Sequence, residues 1–177
     1  GVGILYARKG LLEAMPPYQY GGDMVTTVGQ YAAEYRESPW RFEAGTPNIA
    51  DIVAFSAALD FLSSIGLAVI ERHDRELIEF FTDRFSRYGA VTLFTPGGVS
   101  NSILSFSVDG VHPHDIATVF DAHGVAIRSG LHCAEPLIAQ LNVPATARVS
   151  TFFYNSEKDI LQAELALKKV LQIFRVT

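Results

Sequence analysis

The sequence has 177 residues and a mass of 19.4 kDa, is 49% hydrophobic and 19% charged, and carries 14 Lys and Arg against 19 Asp and Glu, a net charge of −5. That composition fills a real core, suits one domain or one and part of another, and excludes a disordered chain. A negative balance with no basic block argues against nucleic acid as a partner, and the single cysteine, Cys133, excludes an intrachain disulfide framework or a thiolate metal cage.

No apolar run reaches the roughly 18 residues that cross a bilayer, because Asp51 and Asp60 interrupt residues 49–67. A soluble protein of a reducing, cytoplasmic compartment is expected, with no membrane partner. The opening Gly1-Val-Gly-Ile-Leu-Tyr-Ala-Arg8 has neither an initiator Met nor a signal-peptide pattern, and it reads like the interior of a longer protein. A fragment or cleavage product is the expectation.

In chain order, residues 4–7 read as a short apolar strand closed by Arg8, Lys9 and Gly10. Residues 15–40 are rich in Pro, Gly and aromatics and read as a long loop, within which 23–27 could pair as a hairpin. Asn48 is the expected N-cap of a helix through Ile49, Ile52, Val53, Phe55, Leu59 and Leu62 that stops at Gly66. Its apolar surface and Ala57-Ala58 pair predict burial between layers. A second helix over 68–88 shows one apolar face, Ile70, Leu77, Ile78, Phe81 and Phe85, and one charged face, so it belongs on the outside.

Strands are expected at 91–94 and 102–108 around a turn at Pro96-Gly97-Gly98, then a helix over 113–123 with Pro113 in its first turn. A short strand over 125–127 follows, then a loop over 128–142 with a turn or two near 136–141, and a last strand over 147–153. Ser156 and Asp159 form a capping box for a terminal helix carrying Ile160, Leu161, Leu165, Leu167, Val170, Leu171 and Phe174. The order from Gly89 onward is that of a two-layer α+β unit.

Candidate chemistry concentrates in three segments. In Arg128-Ser-Gly-Leu-His-Cys-Ala-Glu-Pro136 a lone thiol has His132 and Arg128 nearby as sources of positive charge, and a thiol beside cations is the better nucleophile. A buried small hydrophobe is the bland alternative for Cys133. Arg148 enters a strand between apolar residues, where its guanidinium needs a carboxylate or phosphate; an internal ion pair and a small-molecule carboxylate are both open. Gly45 and Thr46 precede the helix at Asn48, where a phosphate could rest on the helix start or where capping alone explains the residues. His112 and His114 flank Pro113 and make a weak metal signal, with capping the simpler reading.

The segments Arg41-Phe-Glu-Ala-Gly-Thr-Pro-Asn48, Arg128-Ser-Gly-Leu-His-Cys-Ala-Glu-Pro136 and Ala147-Arg-Val-Ser-Thr-Phe-Phe-Tyr-Asn-Ser156, in this order and spacing, closely resemble the C-terminal part of cysteine desulfurases of the Suf type. These are fold-type I, class V aminotransferase-like pyridoxal-phosphate (PLP) enzymes, a group that also includes selenocysteine lyases. The resemblance implies an α+β small domain at 89–177, a connecting helix at 67–88, and the final portion of the large cofactor domain, with a dimer-contact loop, at 1–66. It implies that Cys133 carries the sulfur of L-cysteine as a persulfide with L-alanine as co-product. Arg148 is then the substrate-carboxylate clamp, and Thr46 with Gly45 is the phosphate position given to the cofactor of a neighbouring subunit in a homodimer. A sulfur-acceptor protein of the Suf system, feeding iron–sulfur cluster assembly, is the implied partner.

Two departures stand beside the match. Leu131 occupies a position where many members carry His, and no lysine replaces the family's Schiff-base lysine, since Lys9, Lys158, Lys168 and Lys169 lie elsewhere. The segment alone is therefore expected to be catalytically silent, with apolar surface exposed around Ile4, Leu5 and the helix after Asn48 and with self-association as the consequence. A selenocysteine lyase or related PLP lyase, and a non-enzymatic binding module, are the alternatives.

Overall fold

The computed structural model describes residues 1–94 and 102–176, which fall into two units, Gly1–Ser64 and Ile65–Thr177. In the first unit, α1 (Lys9–Ala14) precedes a hairpin of β1 (Val25–Val28) and β2 (Ala33–Tyr35), closed by the Gly29 N–H donating to the Ala32 carbonyl at 2.8 Å. Residues 4–7 form no strand, and Ile4, Leu5 and Tyr6 are exposed. A strand needs a ladder partner, and among the described residues none lies beside this segment. The hairpin inside the expected long loop is present, shifted two residues along.

A one-turn 3-10 helix (Trp40–Phe42) leads to α2 (Ile49–Ile65). Asn48 caps it as expected: its Oδ1 accepts from the Asp51 N–H at 3.3 Å and its Nδ2 donates to the Asp51 carboxylate at 2.6 Å. The expected burial of α2 is corrected, because none of its residues is buried and Ile49, Ile52, Val53, Leu59 and Phe61 are exposed. Its apolar faces have no second layer in this unit, whose one buried hydrophobic is Met24.

The second unit is a four-stranded antiparallel sheet in the order β3-β4-β6-β5. It is built from α3 (Leu67–Phe85), β3 (Val91–Phe94), β4 (Ile103–Val108), α4 (Pro113–Ala122), β5 (Arg128–Gly130), α5 (Glu135–Gln140), β6 (Thr146–Ser150) and α6 (Glu157–Phe174). The expected turn at Pro96-Gly97-Gly98 lies outside the described residues. Alternation decides the sheet's two faces. Leu104, Phe106 and Val108 of β4 and Ala147 and Val149 of β6 are buried, and the register places Leu104 opposite Val149 and Phe106 opposite Ala147. Against this face pack Leu77, Ile78, Phe81 and Phe85 of α3, Ile116 and Phe120 of α4, and Ile160, Ala163, Leu167 and Val170 of α6. Phe81 and Phe85 stack with centroids 3.7 Å apart, and Phe106 meets Phe85 edge-on at 5.5 Å.

Helix α3 is thus part of this unit's core, where the sequence assigned residues 67–88 a connecting role. The five residues expected on its apolar face are all buried. On α6, by contrast, Leu161 and Leu165 are exposed, and Ala163 and Ala166 take the inward positions, where the helix lies close against α3 and α4. The Asp159 carboxylate accepts the Ser156 N–H at 2.8 Å, so the capping box is real.

A buried carboxylate ties α3 to α6. Glu164 accepts from the Tyr88 hydroxyl at 2.6 Å and from Arg84 Nε at 2.6 Å, with Arg84 Nη2 also bonded and Lys168 Nζ at 3.4 Å. Burial alone would raise its pKa, but donation from Tyr88, Arg84 and Lys168 prevails and holds it below the usual range.

The other buried acid, Asp74 of α3, has an Oδ1 with no partner among the described residues, and burial pushes its pKa up despite the opposing charge of His73. Above the ordinary aspartate range the folded state binds more protons than the unfolded one, so stability falls as pH rises through this window. Asp74→Asn, which carries no charge to desolvate, is expected to raise stability at pH 7 by about 1 kcal/mol. Thermal unfolding at pH 7 checks this, and a lowered midpoint contradicts it. No single helix among the described residues is long and apolar enough to cross a membrane.

Candidate active site

The sheet face opposite the core carries the candidate chemistry. Residues directly paired across an antiparallel ladder project to the same side. Ser105 of β4 pairs with Arg148 of β6, and Arg148 pairs with Arg128 of β5, so one row across three strands sets two guanidinium groups abreast. Neither forms an ion pair among the described residues, and Arg148 Nε is buried without a hydrogen-bond partner. The internal-ion-pair reading of Arg148 is thereby set aside. An orphaned buried guanidinium donor calls for an acceptor from a ligand, and a carboxylate satisfies it through the bidentate fork.

The strand expected at 125–127 lies instead at Arg128–Gly130. Val125 and Ile127 turn inward to pack on the core, and the ladder with β6 begins at Arg128. Gly130, at φ 120°, leaves β5 in a conformation that an L side chain rarely adopts. The chain then reverses through Leu131–Ala134, with the Ala134 N–H donating to the Leu131 carbonyl at 2.9 Å. Both central residues, His132 and Cys133, are left-handed at φ 56°. Each such residue costs about 1–2 kcal/mol relative to ordinary backbone, so the turn must be held by other contacts.

Two side-chain tethers hold it. His132 Nε2 lies 3.1 Å from the carbonyl oxygen and 2.9 Å from the hydroxyl of Thr146, a fully buried residue of β6. A carbonyl only accepts, so Nε2 carries the proton and Nδ1, buried without a partner, is left as an acceptor. Burial lowers the pKa of the ring; its bond to the Thr146 carbonyl opposes this, and the charges of Arg148 and Arg128 add to the lowering. The imidazole is therefore neutral at pH 7. The second tether is Arg128, whose Nη2 donates toward Cys133 Sγ at 3.6 Å.

Cys133 is exposed, against the buried-hydrophobe reading. It shares the open face of the sheet with Arg148 through Arg128, so the two residues chosen from the sequence are brought to one side of one unit. Gly45 and Thr46 lie together in the other unit. Gly45, at φ 81°, gives its N–H to the Gly22 carbonyl at 2.9 Å, and Thr46 is exposed just ahead of α2. The Gly45 amide is thus committed internally, which leaves the exposed Thr46 hydroxyl as the side-chain donor of the pair. His112 reads as a cap, its Nδ1 accepting the His114 N–H at 3.2 Å.

Residues 1–162 match the family model of class V aminotransferases. The chain belongs to the class V aminotransferase family. It is 44% identical over 174 residues to a probable cysteine desulfurase of Halalkalibacterium halodurans, covering 98% of this chain and 43% of that relative. Among solved structures, the cysteine desulfurase CsdA of Escherichia coli in its S-sulfonic acid form superposes with a TM-score of 0.88 at 34% identity, over 95% of this chain and 42% of that one. The class V fold is also shared, at 20% identity and a TM-score of 0.71 over 91% of this chain and 40% of that one, with the C-DES protein, solved with glycine covalently linked to its PLP cofactor. The chain thus spans about two fifths of the length of the relatives it matches.

The donor set fits the periphery of a PLP site. Thr46 suits a phosphate and Arg148 suits the carboxylate of a bound amino acid. None of the four lysines fits the cofactor-linking role. Lys9 is exposed and pairs with Glu13, Lys168 pairs with Glu164, Lys169 donates to Gln172, and Lys158 is exposed. A Schiff-base lysine works from a desolvated site, and none of these is desolvated.

What sequence reasoning did not find is Thr146 as the dock for His132, and the left-handed pair itself. The available signal was Gly130 followed two residues later by His, a residue type enriched among left-handed conformers.

Proposed function

We propose that this chain is the thiol-bearing portion of a PLP-dependent cysteine desulfurase that converts L-cysteine to L-alanine and stores the sulfur as a persulfide on Cys133. The observation carrying this reading is an exposed thiol held at 3.6 Å from one guanidinium whose cross-strand neighbour is a second guanidinium with an unpartnered, buried Nε. Arg148 binds the substrate carboxylate. Arg128 supplies positive charge where negative charge gathers on sulfur.

In the transfer step Cys133 sulfur attacks the sulfur of the bound cysteine. An S–S bond forms and the substrate's Cβ–S bond breaks, with the bonding pair staying on carbon. The proton given up by the Cys133 thiol is balanced by one taken up at that carbon, so a thiol and cysteine become a persulfide and alanine with no external oxidant. PLP, when bound, supplies the electron sink that makes the Cβ–S bond labile. Thr46, with Gly45 shaping the turn, donates to the cofactor phosphate of the neighbouring subunit in a homodimer. The exposed apolar residues of α2 and of residues 4–6 support such an association. An acceptor protein of the Suf system takes the sulfur from the exposed turn in the cytoplasm.

The test is product analysis of the full-length protein with PLP, L-cysteine and a reductant. Alanine and sulfide in equal amounts are expected; selenide release from selenocysteine with no turnover of cysteine, or no alanine at all, overturns the reading. Arg148→Lys, which keeps the charge and loses the fork, is expected to raise KM for L-cysteine on the order of 10- to 100-fold, and an unchanged KM contradicts the clamp.

A further inference from the structure

His132 touches no ligand in the scheme above, yet it sits at the point that decides where the thiol stands. The last rung of the β5–β6 ladder pairs Gly130 with Thr146, and the His132 ring returns to that same Thr146, closing the turn onto the rung from which it leaves. The thiol on the next residue reaches back to Arg128, at the first rung of the same short strand. Both residues between these tethers are left-handed without being glycine. Local preference does not produce such a pair; an anchor does.

We propose that His132 is a positioning residue for sulfur transfer, whose Nε2–H, docked on Thr146, holds the left-handed turn that sets Cys133 beside Arg128. The inference rests on the desulfurase reading for its kinetic consequence, but its geometric part concerns the thiol alone. A general base at this position is disfavoured, because Nε2 is committed as a donor and Nδ1 is buried.

Two amide side chains, one methylene apart, separate anchoring from mere tolerance of left-handed backbone. Gln extends a donor to about the reach of histidine Nε2, whereas Asn adopts left-handed conformations more readily but falls short of Thr146. If His132 serves only to fit the turn, His132→Asn should match or surpass His132→Gln. If it anchors, the order reverses.

Both variants are made in the full-length protein and compared by the rate of iodoacetamide alkylation at Cys133, read by peptide mass, and by kcat and KM for L-cysteine. Expected are alkylation and kcat close to wild type for Gln. For Asn, alkylation slows as the thiol leaves Arg128, kcat falls on the order of 10- to 100-fold, and KM is unchanged because Arg148 is untouched. Equal behaviour of the two variants, an Asn variant better than Gln, or a KM that rises in step with the fall in kcat overturns the proposal. Should the protein form no alanine at all while alkylation still follows the expected order, the desulfurase reading fails and the anchoring role stands. Thermal midpoints of both variants confirm that folded protein is compared, and a Gln variant that does not fold counts against a restored anchor.

Discussion

Cys133→Ser in the full-length protein is expected to abolish persulfide formation and to lower alanine production from L-cysteine on the order of 10³-fold or more, the scale of losing a covalent nucleophile. The hydroxyl is a far weaker nucleophile at neutral pH and cannot form the S–S bond that the reaction requires. Structure should be spared. The side chain is exposed, and Ser differs from Cys by one atom, so stability should stay within about 0.5 kcal/mol of wild type. Arg148 and its open sheet face are untouched, so substrate binding should persist while turnover is lost. Complete loss of the persulfide distinguishes a nucleophile from a residue that only shapes the turn, whose variant still forms it at a reduced rate. A Ser variant with wild-type turnover would remove Cys133 from the reaction.

Glu164→Ala is expected to destabilise the second unit by about 3 kcal/mol, or roughly 10–20 °C in Tm. The carboxylate is the shared acceptor of Tyr88, Arg84 and Lys168 across the α3–α6 contact, and its loss strands a phenol and a guanidinium. Arg84 is 26% exposed, so water recovers part of its solvation and the effect falls at the low end for a broken buried pair. The pH dependence carries a sign. Because the folded carboxyl is held below its ordinary value, the unfolded chain binds more protons in that window. The contribution is therefore present above the usual glutamate range and is lost as pH falls through the folded pKa. Glu164→Gln should flatten this acid limb of the stability curve. Equal acid limbs in wild type and Gln variant, from denaturant unfolding at pH 3 to 6, would contradict the assignment.

The helices of the second unit were legible because burial imposed a period. Ile70, Leu77, Ile78, Phe81 and Phe85 recur on one face of α3, and the Ser156–Asp159 box announces α6. Strand ends were less legible, since side chains distant from the apolar pattern set them. The last strand stops at Ser150 because the Asn155 side chain accepts the Phe152 N–H at 2.9 Å and bends the chain into a turn. Strand β5 opens on a charged residue, Arg128, because the ladder partner it needs is Arg148, twenty residues away and invisible to local propensity. Helix α2 is apolar all round, and a sequence with that property reads as buried. Here its own unit supplies no second layer, so the surface stays open.

For the site, residue types were enough to choose Cys133 and Arg148, because a lone thiol among cations and a guanidinium inside an apolar strand are each chemically conspicuous. The path between them was not legible. It runs through cross-strand register, which places Arg128 beside Arg148, and through a turn whose left-handed residues are held by Thr146 and Arg128 rather than by glycine. Such a turn is a product of tertiary contacts, and its sequence signature is confined to Gly130.

The most direct measurement is a single turnover of the full-length protein with sulfur-labelled L-cysteine in the absence of reductant, followed by peptide-resolved mass spectrometry. The account predicts one labelled sulfur on the peptide carrying Cys133 for each alanine formed. Alanine formed in full with its sulfur released as free sulfide, and none of it bound to Cys133, would contradict the account.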